Sequence, residues 1–271
     1  MGADTSKKGF LKDTQLEGLL VPLLQHVRQA SAIKPNLVEE IVVGNVLHKD
    51  AAFVTRASVL AAGYPTTTII STVSRWCSSG LLAVEAVAQK VAVGSIDIGI
   101  AVGAESMSCN PDNGAPVFPW RFMEDPTIQD VTQPMPWTAE NVARDFDITR
   151  ERQDEQAAAS FCKAEATQKA VHATPKLLAK VGIRKDDVDI FEINEAFASM
   201  LVYCMDTLEL DPRKVNPRGG AIAFGHLLGC TGARQIVTAL AKLKRTEGRV
   251  AATSMCVGTT MGMASLIVSE Q

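Results

Sequence analysis

The chain has 271 residues and a formal net charge of −3, with 46% hydrophobic and 21% charged residues. This length predicts one or two domains. The proportions of hydrophobic and charged residues exclude a disordered tail, a collagen-like repeat and a coiled coil. No basic block is present, so we expect no nucleic-acid partner. No uncharged apolar stretch approaches the roughly 18 residues of a membrane helix, so we expect no membrane span.

The spacing of the cysteines argues against two further classes of protein. A disulfide scaffold is shorter and denser in cysteine, and a zinc site needs paired spacings, but this chain has no C-x-x-C pair. Its six cysteines are Cys77, Cys109, Cys162, Cys204, Cys230 and Cys256. We therefore expect reduced thiols of an intracellular compartment and no metal site.

Helices and strands alternate along most of the chain. The first helix has an apolar face between Leu16 and Val27, behind a capping box of Thr14 and Glu17. Buried strands are predicted at 40–47, 68–73, 98–103, 188–194 and 249–256. Further helices are predicted at 51–62, after Cys77 to Gly94, at 138–146, 150–169 and 195–208, and after Cys230 to Lys244. The stretch from Cys109 to Trp137 is predicted to be irregular, and long ordered loops are often functional.

The part of the chain that follows Cys77 resembles the part that follows Cys230 in its predicted elements. In each, a turn of cysteine and small residues leads to an Ala-rich helix and then to a strand. The step from Cys77 to Ile98 is 21 residues and that from Cys230 to Val250 is 20. This similarity predicts two related α/β halves with a largely parallel core and layered helices.

Cys77 is the first candidate for chemistry because it lies where a strand ends and a helix begins. A helix N-terminus stabilises a thiolate, and its free amides can receive an oxyanion. A buried structural cysteine is the alternative, and position alone leaves the two readings even. His226, between Gly225 and Gly229, is placed to take a proton from a thiol. A loop histidine bonded to a carbonyl is its alternative.

Two other candidates, Cys256 and Asn194, lie at or just after the ends of predicted strands. Cys256 follows a buried strand, and Gly258 would let its amide approach a ligand closely. Asn194 could hold a water or a carbonyl, or cap a helix, and Glu195 could be a plain helix-start carboxylate. Active sites of α/β proteins lie in such places. Two cysteines, a histidine and an asparagine without metal spacing favour covalent thioester chemistry.

Four blocks of sequence resemble the signatures of the thiolase family. They are Cys77-Ser78-Ser79-Gly80, Asn194-Glu195-Ala196-Phe197-Ala198, Gly219-Gly220-Ala221-Ile222-Ala223 with Gly225-His226, and Cys256-Val257-Gly258. Three others resemble its peroxisomal 3-ketoacyl-CoA branch: Gly9-Phe10-Leu11-Lys12-Asp13-Thr14, Gln133-Pro134-Met135 and Glu140-Asn141-Val142-Ala143. The resemblance implies the thiolase fold, with an N-terminal half at 1–108, a partial loop domain with helices at 109–171 and a C-terminal half at 172–271.

The resemblance also implies a role for each site residue. Cys77 would attack the 3-keto carbon and carry the acyl group, and His226 would activate Cys77 and then the incoming CoA thiol. Cys256 would protonate the departing acetyl-CoA enolate. The amides of Cys77 and Gly258 would form one oxyanion hole, and His226 with a water held by Asn194 would form the other.

The implied activity is thiolytic cleavage of 3-ketoacyl-CoA in fatty-acid β-oxidation, by an acetyl-CoA C-acyltransferase. Coenzyme A and acyl-CoA would be substrates, with no permanently bound cofactor and no metal. A homodimer and a peroxisomal location are implied, although Ser269-Glu270-Gln271 is not a Ser-Lys-Leu signal. The alternatives are a catalytically impaired remnant or partner subunit, and an acetoacetyl-CoA thiolase.

The chain departs from the family pattern at several places. We expect the first strand of each half to be missing, one before Lys7 and one between Ala170 and Ala173, together with part of the loop domain. Three point changes lie near the expected chemistry. Trp76 would crowd Cys77, Leu227 replaces a proline after His226, and Thr260 replaces a glycine.

Overall fold

The computed structural model describes residues 9–162, 173–258 and 261–270. The segment before Lys7, Ala170 and Thr260 lie outside these ranges. The described residues divide into two compact units. Unit 1 comprises those of Met1–Asp112 with Leu227–Arg234, and unit 2 those of Asn113–His226 with Gln235–Gln271.

Helices and strands alternate in unit 1, whereas the described part of unit 2 begins with four successive helices before its first strand. The strands are β1 (Glu40–Gly44), β2 (Ile69–Val73), β3 (Gly99–Gly103), β4 (Ile190–Ile193), β5 (Val250–Val257) and β6 (Met261–Val268). The helices are α1 (Leu16–Ala30), α2 (Ala51–Ala61), α3 (Ser79–Ala92), α4 (Pro126–Val131), α5 (Met135–Asp145), α6 (Arg150–Cys162), α7 (Ala173–Val181), α8 (Ala198–Leu208), α9 (Ala221–Phe224) and α10 (Thr231–Thr246). None of these helices is long and apolar enough to cross a membrane.

Unit 1 is built on a parallel three-stranded sheet in the order β2-β1-β3. Every residue of β1 is buried, as expected for the central strand of a parallel sheet. The apolar face of α1 joins this core through Leu16, Leu20 and Leu24, each fully buried. The helical periodicity therefore correctly predicts these three leucines, whereas Leu23 of the same predicted face is 41% exposed.

Unit 2 contains a mixed sheet in the order β4-β5-β6. The strands β4 and β5 are parallel, and β6 pairs with β5 in the antiparallel direction. An isolated parallel bridge also joins Phe191 of β4 to Val215. The core contains Phe191, Ile193 and Leu201, and each of them is almost fully buried.

The two sheets have a common topology. In unit 1 the order is β2-β1-β3, and in unit 2 the bridge at Val215, β4 and β5 follow in the same order and all run parallel. This agreement confirms the predicted relation between the halves. The predicted boundaries of the three domains are not tested by it and remain a prediction.

Several local predictions are wrong. The helix after β4 begins at Ala198 and not at Glu195, and Gln15 rather than Thr14 occupies the N-cap of α1, with no side-chain cap. The stretch from Cys109 to Trp137 is not irregular throughout, because it contains the short helix α4. Asp125 caps this helix by accepting a hydrogen bond from the Thr127 amide. No strand was predicted at β6, which pairs with β5 as an antiparallel hairpin.

One ion pair between a partly exposed lysine and a buried carboxylate joins the sheet of unit 1 to α3. The Lys90 Nζ atom lies 2.6 Å from both carboxylate oxygens of Glu40, and the Ser71 hydroxyl donates to the same carboxylate at 2.7 Å. Burial raises the pKa of Glu40, but the bonds from Lys90 and Ser71 outweigh it, and the pKa is lowered. The pair therefore stabilises the fold above the ordinary carboxyl pKa and loses this contribution as the pH falls through the folded-state value.

Lys90→Met should lower the free energy of unfolding at pH 7 by about 1 to 3 kcal/mol, because it leaves a buried carboxylate without its counter-ion. Lys49→Met is the control, since Lys49 lies 4.0 Å from Asp50 with its side chain 90% exposed, and it should change stability by less than about 0.5 kcal/mol. Urea unfolding at pH 7 and at about pH 3 measures the free energy of unfolding of both variants and of the parent. An equal effect of Lys90→Met at the two pH values would contradict the role of the charged pair.

Candidate active site

Cys77 lies in a tight turn between β2 and α3 of unit 1. Its side chain is buried, and the turn is closed by Ser79, whose hydroxyl donates to the Trp76 carbonyl at 2.7 Å and accepts from the Arg75 amide at 2.8 Å. The residue therefore lies at the N-terminus of a 14-residue helix, where the partial positive charge favours a thiolate. The predicted location of Cys77 between strand and helix is confirmed.

The residue before Cys77 has an unusual backbone. Trp76 has a φ of 42°, in the left-handed region, which costs a residue with a side chain about 1 to 2 kcal/mol. Its side chain is 45% exposed, so nearly half of the indole faces solvent. Strain of this kind is common where a turn must aim a functional side chain.

The start of α3 packs closely on the segment that follows His226 in the sequence. A Cβ atom on Gly80 would lie 2.7 Å from the Gly229 carbonyl oxygen and 2.8 Å from the Ala233 amide. A Cβ atom on Gly229 would in turn meet the carbonyl oxygens of Ala104 and Gly44 at 2.7 Å. Only glycine leaves space for this backbone contact, so the segment Leu227–Arg234 is held firmly within unit 1.

A buried carboxylate that sequence reasoning missed lies beside these glycines. Glu105 is 3% exposed and follows β3. It accepts hydrogen bonds from the Asn45 amide group and from the backbone amides of Val46, Leu47 and Gly229. Burial raises its pKa against the opposing effect of these four bonds. An acidic residue two positions after a predicted strand was the signal available in the sequence.

Asn194 and His226 approach each other in unit 2. The Asn194 Nδ2 atom lies 3.3 Å from His226 Nε2, and the asparagine is 2% exposed. Among the described residues, no hydrogen-bond partner lies near its other amide atom, Oδ1, which is also buried. The helix-cap alternative for Asn194 is wrong, because α8 begins at Ala198 and its N-cap is Phe197.

The backbone around His226 is shaped by two neighbouring features. Gly225, directly before it, has a φ of 85°, which a residue with a side chain rarely adopts. Glu195 accepts from the Ser160 hydroxyl and from the Ile222 amide, both at 2.6 Å, and it is 1% exposed. Glu195 is therefore a buried anchor for the glycine-rich turn and not a helix-start carboxylate.

Cys256 lies on β5, opposite Gly262 of β6, and the turn after β5 contains the buried Gly258. Cys256 and Asn194 line one cavity of about 530 Å³ within unit 2. Most of its other wall is apolar, and α5, α8 and the β5–β6 hairpin supply these side chains. They include Met135, Val142, Phe146, Phe197, Met200, Met255 and Met261. The cavity thus brings Cys256 and Asn194 together with a largely apolar wall.

Comparison of the two units shows what is special about Asn194. Asn45 follows β1 as Asn194 follows the equivalent strand β4. The Asn45 side chain donates to the Ala104 carbonyl and to Glu105, and it accepts from the His48 amide, so its hydrogen-bonding capacity is largely used in the fold. Asn194 keeps one amide atom available for a water or a ligand. In the described part of the chain, no group of acidic, histidine and cysteine side chains is arranged to hold a metal ion.

Asn45→Ala should therefore lower the free energy of unfolding by about 1 to 3 kcal/mol, because it leaves buried donors and acceptors unpaired. Asn194→Ala should lower it by less than about 1 kcal/mol, because it removes one long contact and a buried atom without a partner. Urea unfolding of the two variants compares equivalent positions in one chain. A larger loss for Asn194→Ala would show that this side chain serves the fold.

Comparison with known proteins identifies relatives over almost the whole chain. A family model for the thiolase N-terminal domain matches residues 1–210. The peroxisomal 3-ketoacyl-CoA thiolase of Yarrowia lipolytica is 34% identical, over 97% of this chain and 89% of that protein. The human peroxisomal 3-ketoacyl-CoA thiolase is also 34% identical, over 96% of this chain and 86% of that protein. The crystal structure of the dimeric peroxisomal thiolase of Saccharomyces cerevisiae matches with a TM-score of 0.88 at 32% identity, over 98% of this chain and 94% of that chain.

These relatives also differ from the chain in length. The alignment with the Yarrowia protein spans 371 residues, 100 more than the 271 of the whole chain. Because the alignment covers nearly all of both proteins, the additional positions lie inside it. The expected shortening in the interior of the chain is therefore confirmed.

Proposed function

The chain belongs to the thiolase family, and from this we propose that it cleaves 3-ketoacyl-CoA with CoA, releasing acetyl-CoA and a shortened acyl-CoA. This is the reaction of an acetyl-CoA C-acyltransferase in fatty-acid β-oxidation. The observation that carries the proposal is the arrangement of Asn194, which faces His226 at 3.3 Å and lines an apolar cavity together with Cys256. Thioester chemistry on an acyl chain requires such a combination of nucleophilic, proton-transferring and apolar groups.

In the first half-reaction, the Cys77 thiolate adds to the C3 carbonyl carbon of the substrate after His226 has taken its proton. The bond between C2 and C3 then breaks, and its electron pair forms the enolate of acetyl-CoA. Cys256 donates a proton to C2 of this enolate, which completes acetyl-CoA. The carbanion is a poorer leaving group than a thiolate, so this step needs the strongest stabilisation. Backbone amides and a water held by the Oδ1 atom of Asn194 would supply it.

In the second half-reaction, the acyl group on Cys77 passes to CoA. His226 accepts the proton of the CoA thiol, and the CoA sulfur adds to the thioester carbonyl. The tetrahedral intermediate collapses with release of the Cys77 thiolate and the shortened acyl-CoA. A thiolate leaves readily without acid assistance, so the backbone amides of Cys77 and Gly258 need only stabilise the oxyanion.

The apolar cavity favours this function over that of an acetoacetyl-CoA thiolase. Its volume of about 530 Å³ lies within the range of 300 to 1,000 Å³ typical of ligand pockets and exceeds what a two-carbon acetyl group fills. An acyl chain of several carbons is the substrate that matches this volume and the methionine-rich wall. Methionine side chains adapt to chains of different shape.

We expect a 3-ketoacyl-CoA with a medium-length chain, such as 3-ketodecanoyl-CoA, to acylate Cys77. Intact-mass spectrometry of the purified chain after brief incubation should show the octanoyl adduct, and Cys77→Ser should show none. Asn194→Ala should form the adduct about 10² to 10³ times more slowly, because it removes one group that stabilises the transition state.

Cys109→Ser is the matched control, because Cys109 is a partly exposed free thiol in the same unit as Cys77. It should acylate as the parent does. A folded parent that remains unmodified would contradict the catalytic function and leave the impaired remnant or partner subunit as the better description. Acylation by acetoacetyl-CoA alone would favour the short-chain alternative.

The assembly and location of the chain are also proposed by similarity. The yeast relative is described as dimeric, and the relatives of Yarrowia and human are described as peroxisomal. Among the described residues, β2 pairs only with β1, and its Ile69 is 62% exposed, so this sheet edge is open to a second copy of the chain. We propose a homodimer located in the peroxisome.

The parent should therefore have the mass of a dimer in size-exclusion chromatography with light scattering. Ile69→Lys places a charge on the open edge of β2 and should shift the population towards the monomer. Val93→Lys is the control, because Val93 is 78% exposed and lies after α3, away from the sheet edge. Equal masses for Ile69→Lys and the parent would exclude this edge as the contact.

A further inference from the structure

The buried carboxylate of Glu105 connects three separate parts of unit 1. One oxygen accepts from the Asn45 side chain at 2.9 Å and from the Leu47 amide at 3.2 Å, and the other accepts from the Val46 amide at 2.9 Å and the Gly229 amide at 3.0 Å. The donors belong to the chain after β1 and to the segment after His226. Glu105 itself follows β3.

We propose that Glu105 is a positioning residue for the reaction, which holds the backbone directly after His226 and thereby fixes the imidazole. This inference rests on the proposed function of His226 as the base that activates Cys77. Glu105 does not touch the reacting atoms in this proposal. It acts through Gly229, three residues beyond the histidine in the sequence.

The segment Leu227–Arg234, which follows His226 in the sequence, is held closely within unit 1. The backbone of Gly229 is closely packed against its neighbours: a Cβ atom added to it would lie 2.7 Å from the carbonyl oxygens of Ala104 and Gly44. This packing leaves Gly229 little space to shift. The Leu227 carbonyl accepts from the amides of Cys230 and Thr231, both at 2.9 Å, which ties the residue after His226 to the first turn of α10. The hydrogen bond to Glu105 fixes the centre of this segment to the carboxyl end of the sheet.

Only a carboxylate satisfies this arrangement. All four partners of Glu105 are N–H donors, and an ionised carboxylate is the side chain that offers acceptors alone. A glutamine would direct its own N–H groups at one pair of these donors. Leu227 makes the restraint more important, because a leucine leaves the backbone after His226 freer than a proline would.

An exposed carboxylate at the opposite end of the same sheet provides a control for position along the strands. Glu39 precedes β1 and accepts from the Asp97 and Ile98 amides at 2.6 and 3.2 Å, before β3 begins. It therefore also joins β1 to the segment of β3 through backbone amides, but it lies far along the strands from Gly229. Glu39→Gln tests the loss of such a carboxylate without an effect on the His226 segment.

The experiment compares Glu105→Gln, Glu105→Asp and Glu39→Gln with the parent by three measurements. The first is the rate of Cys77 acylation by 3-ketodecanoyl-CoA. The second is the pH dependence of Cys77 alkylation by iodoacetamide, which reports on the thiolate and needs no turnover. The third is deuterium exchange of the segment Leu227–Arg234 compared with β1 and β3.

We expect Glu105→Gln to acylate about 10 to 100 times more slowly, as a small misplacement of a catalytic group does. Its alkylation midpoint should move to higher pH, and exchange should increase in Leu227–Arg234 while β1 and β3 stay protected. Glu105→Asp keeps the charge, so its acylation rate, alkylation midpoint and deuterium exchange should lie between those of Glu105→Gln and the parent. If Glu105→Gln does not fold, Glu105→Asp alone tests the proposal. Glu39→Gln should behave as the parent in all three.

Two results would overturn the proposal. One is acylation and alkylation of both Glu105 variants at the parental rate and pH. The other is an equal effect of Glu39→Gln and Glu105→Gln, which would show a general loss of stability. A parent that does not acylate speaks against the proposed function, and the alkylation midpoint and deuterium exchange then still decide the role of Glu105.

Discussion

The carboxyl end of the sheet in unit 1 is organised around one buried charge. Desolvation of a carboxylate costs several kcal/mol, and at Glu105 four N–H donors from the chain after β1 and from the segment of Gly229 offset part of this cost. The glycines beside it let these backbones approach within contact distance. The start of α3, which follows the turn of the proposed nucleophile Cys77, packs against these same glycines.

The similar strand order of the two units gives the protein two equivalent positions, and they differ in one respect. The asparagine after the central strand of unit 1 is fully engaged with Ala104, Glu105 and His48, whereas the one in unit 2 faces His226 and keeps a buried amide atom without a partner in the described residues. Folding alone would favour satisfying that atom. Its availability in Asn194 is therefore best explained by a ligand or water that binds there during the reaction.

The shortened interior bears on what the chain retains. At least 100 positions of the Yarrowia relative have no counterpart here, yet the described residues of each unit still form a three-stranded sheet with its own core. Within unit 2 the apolar cavity, Cys256 and the pair of Asn194 and His226 all remain. Binding energy from CoA normally contributes to catalysis in such enzymes, so the loss of interior residues bears first on substrate binding and second on the chemistry.

The sequence alone determined the elements that depend on local pattern. Periodicity located the buried face of α1 and the strands β1 to β5, and the position of Cys77 followed from a strand that leads into a helix. The family followed from four short blocks in the expected order. Three features needed the tertiary structure: the hairpin partner β6, the role of Glu105 and the different states of Asn45 and Asn194. Each depends on which distant backbone amides or strands lie beside the residue, and local sequence carries no information on such neighbours, because the packing of the whole chain decides them.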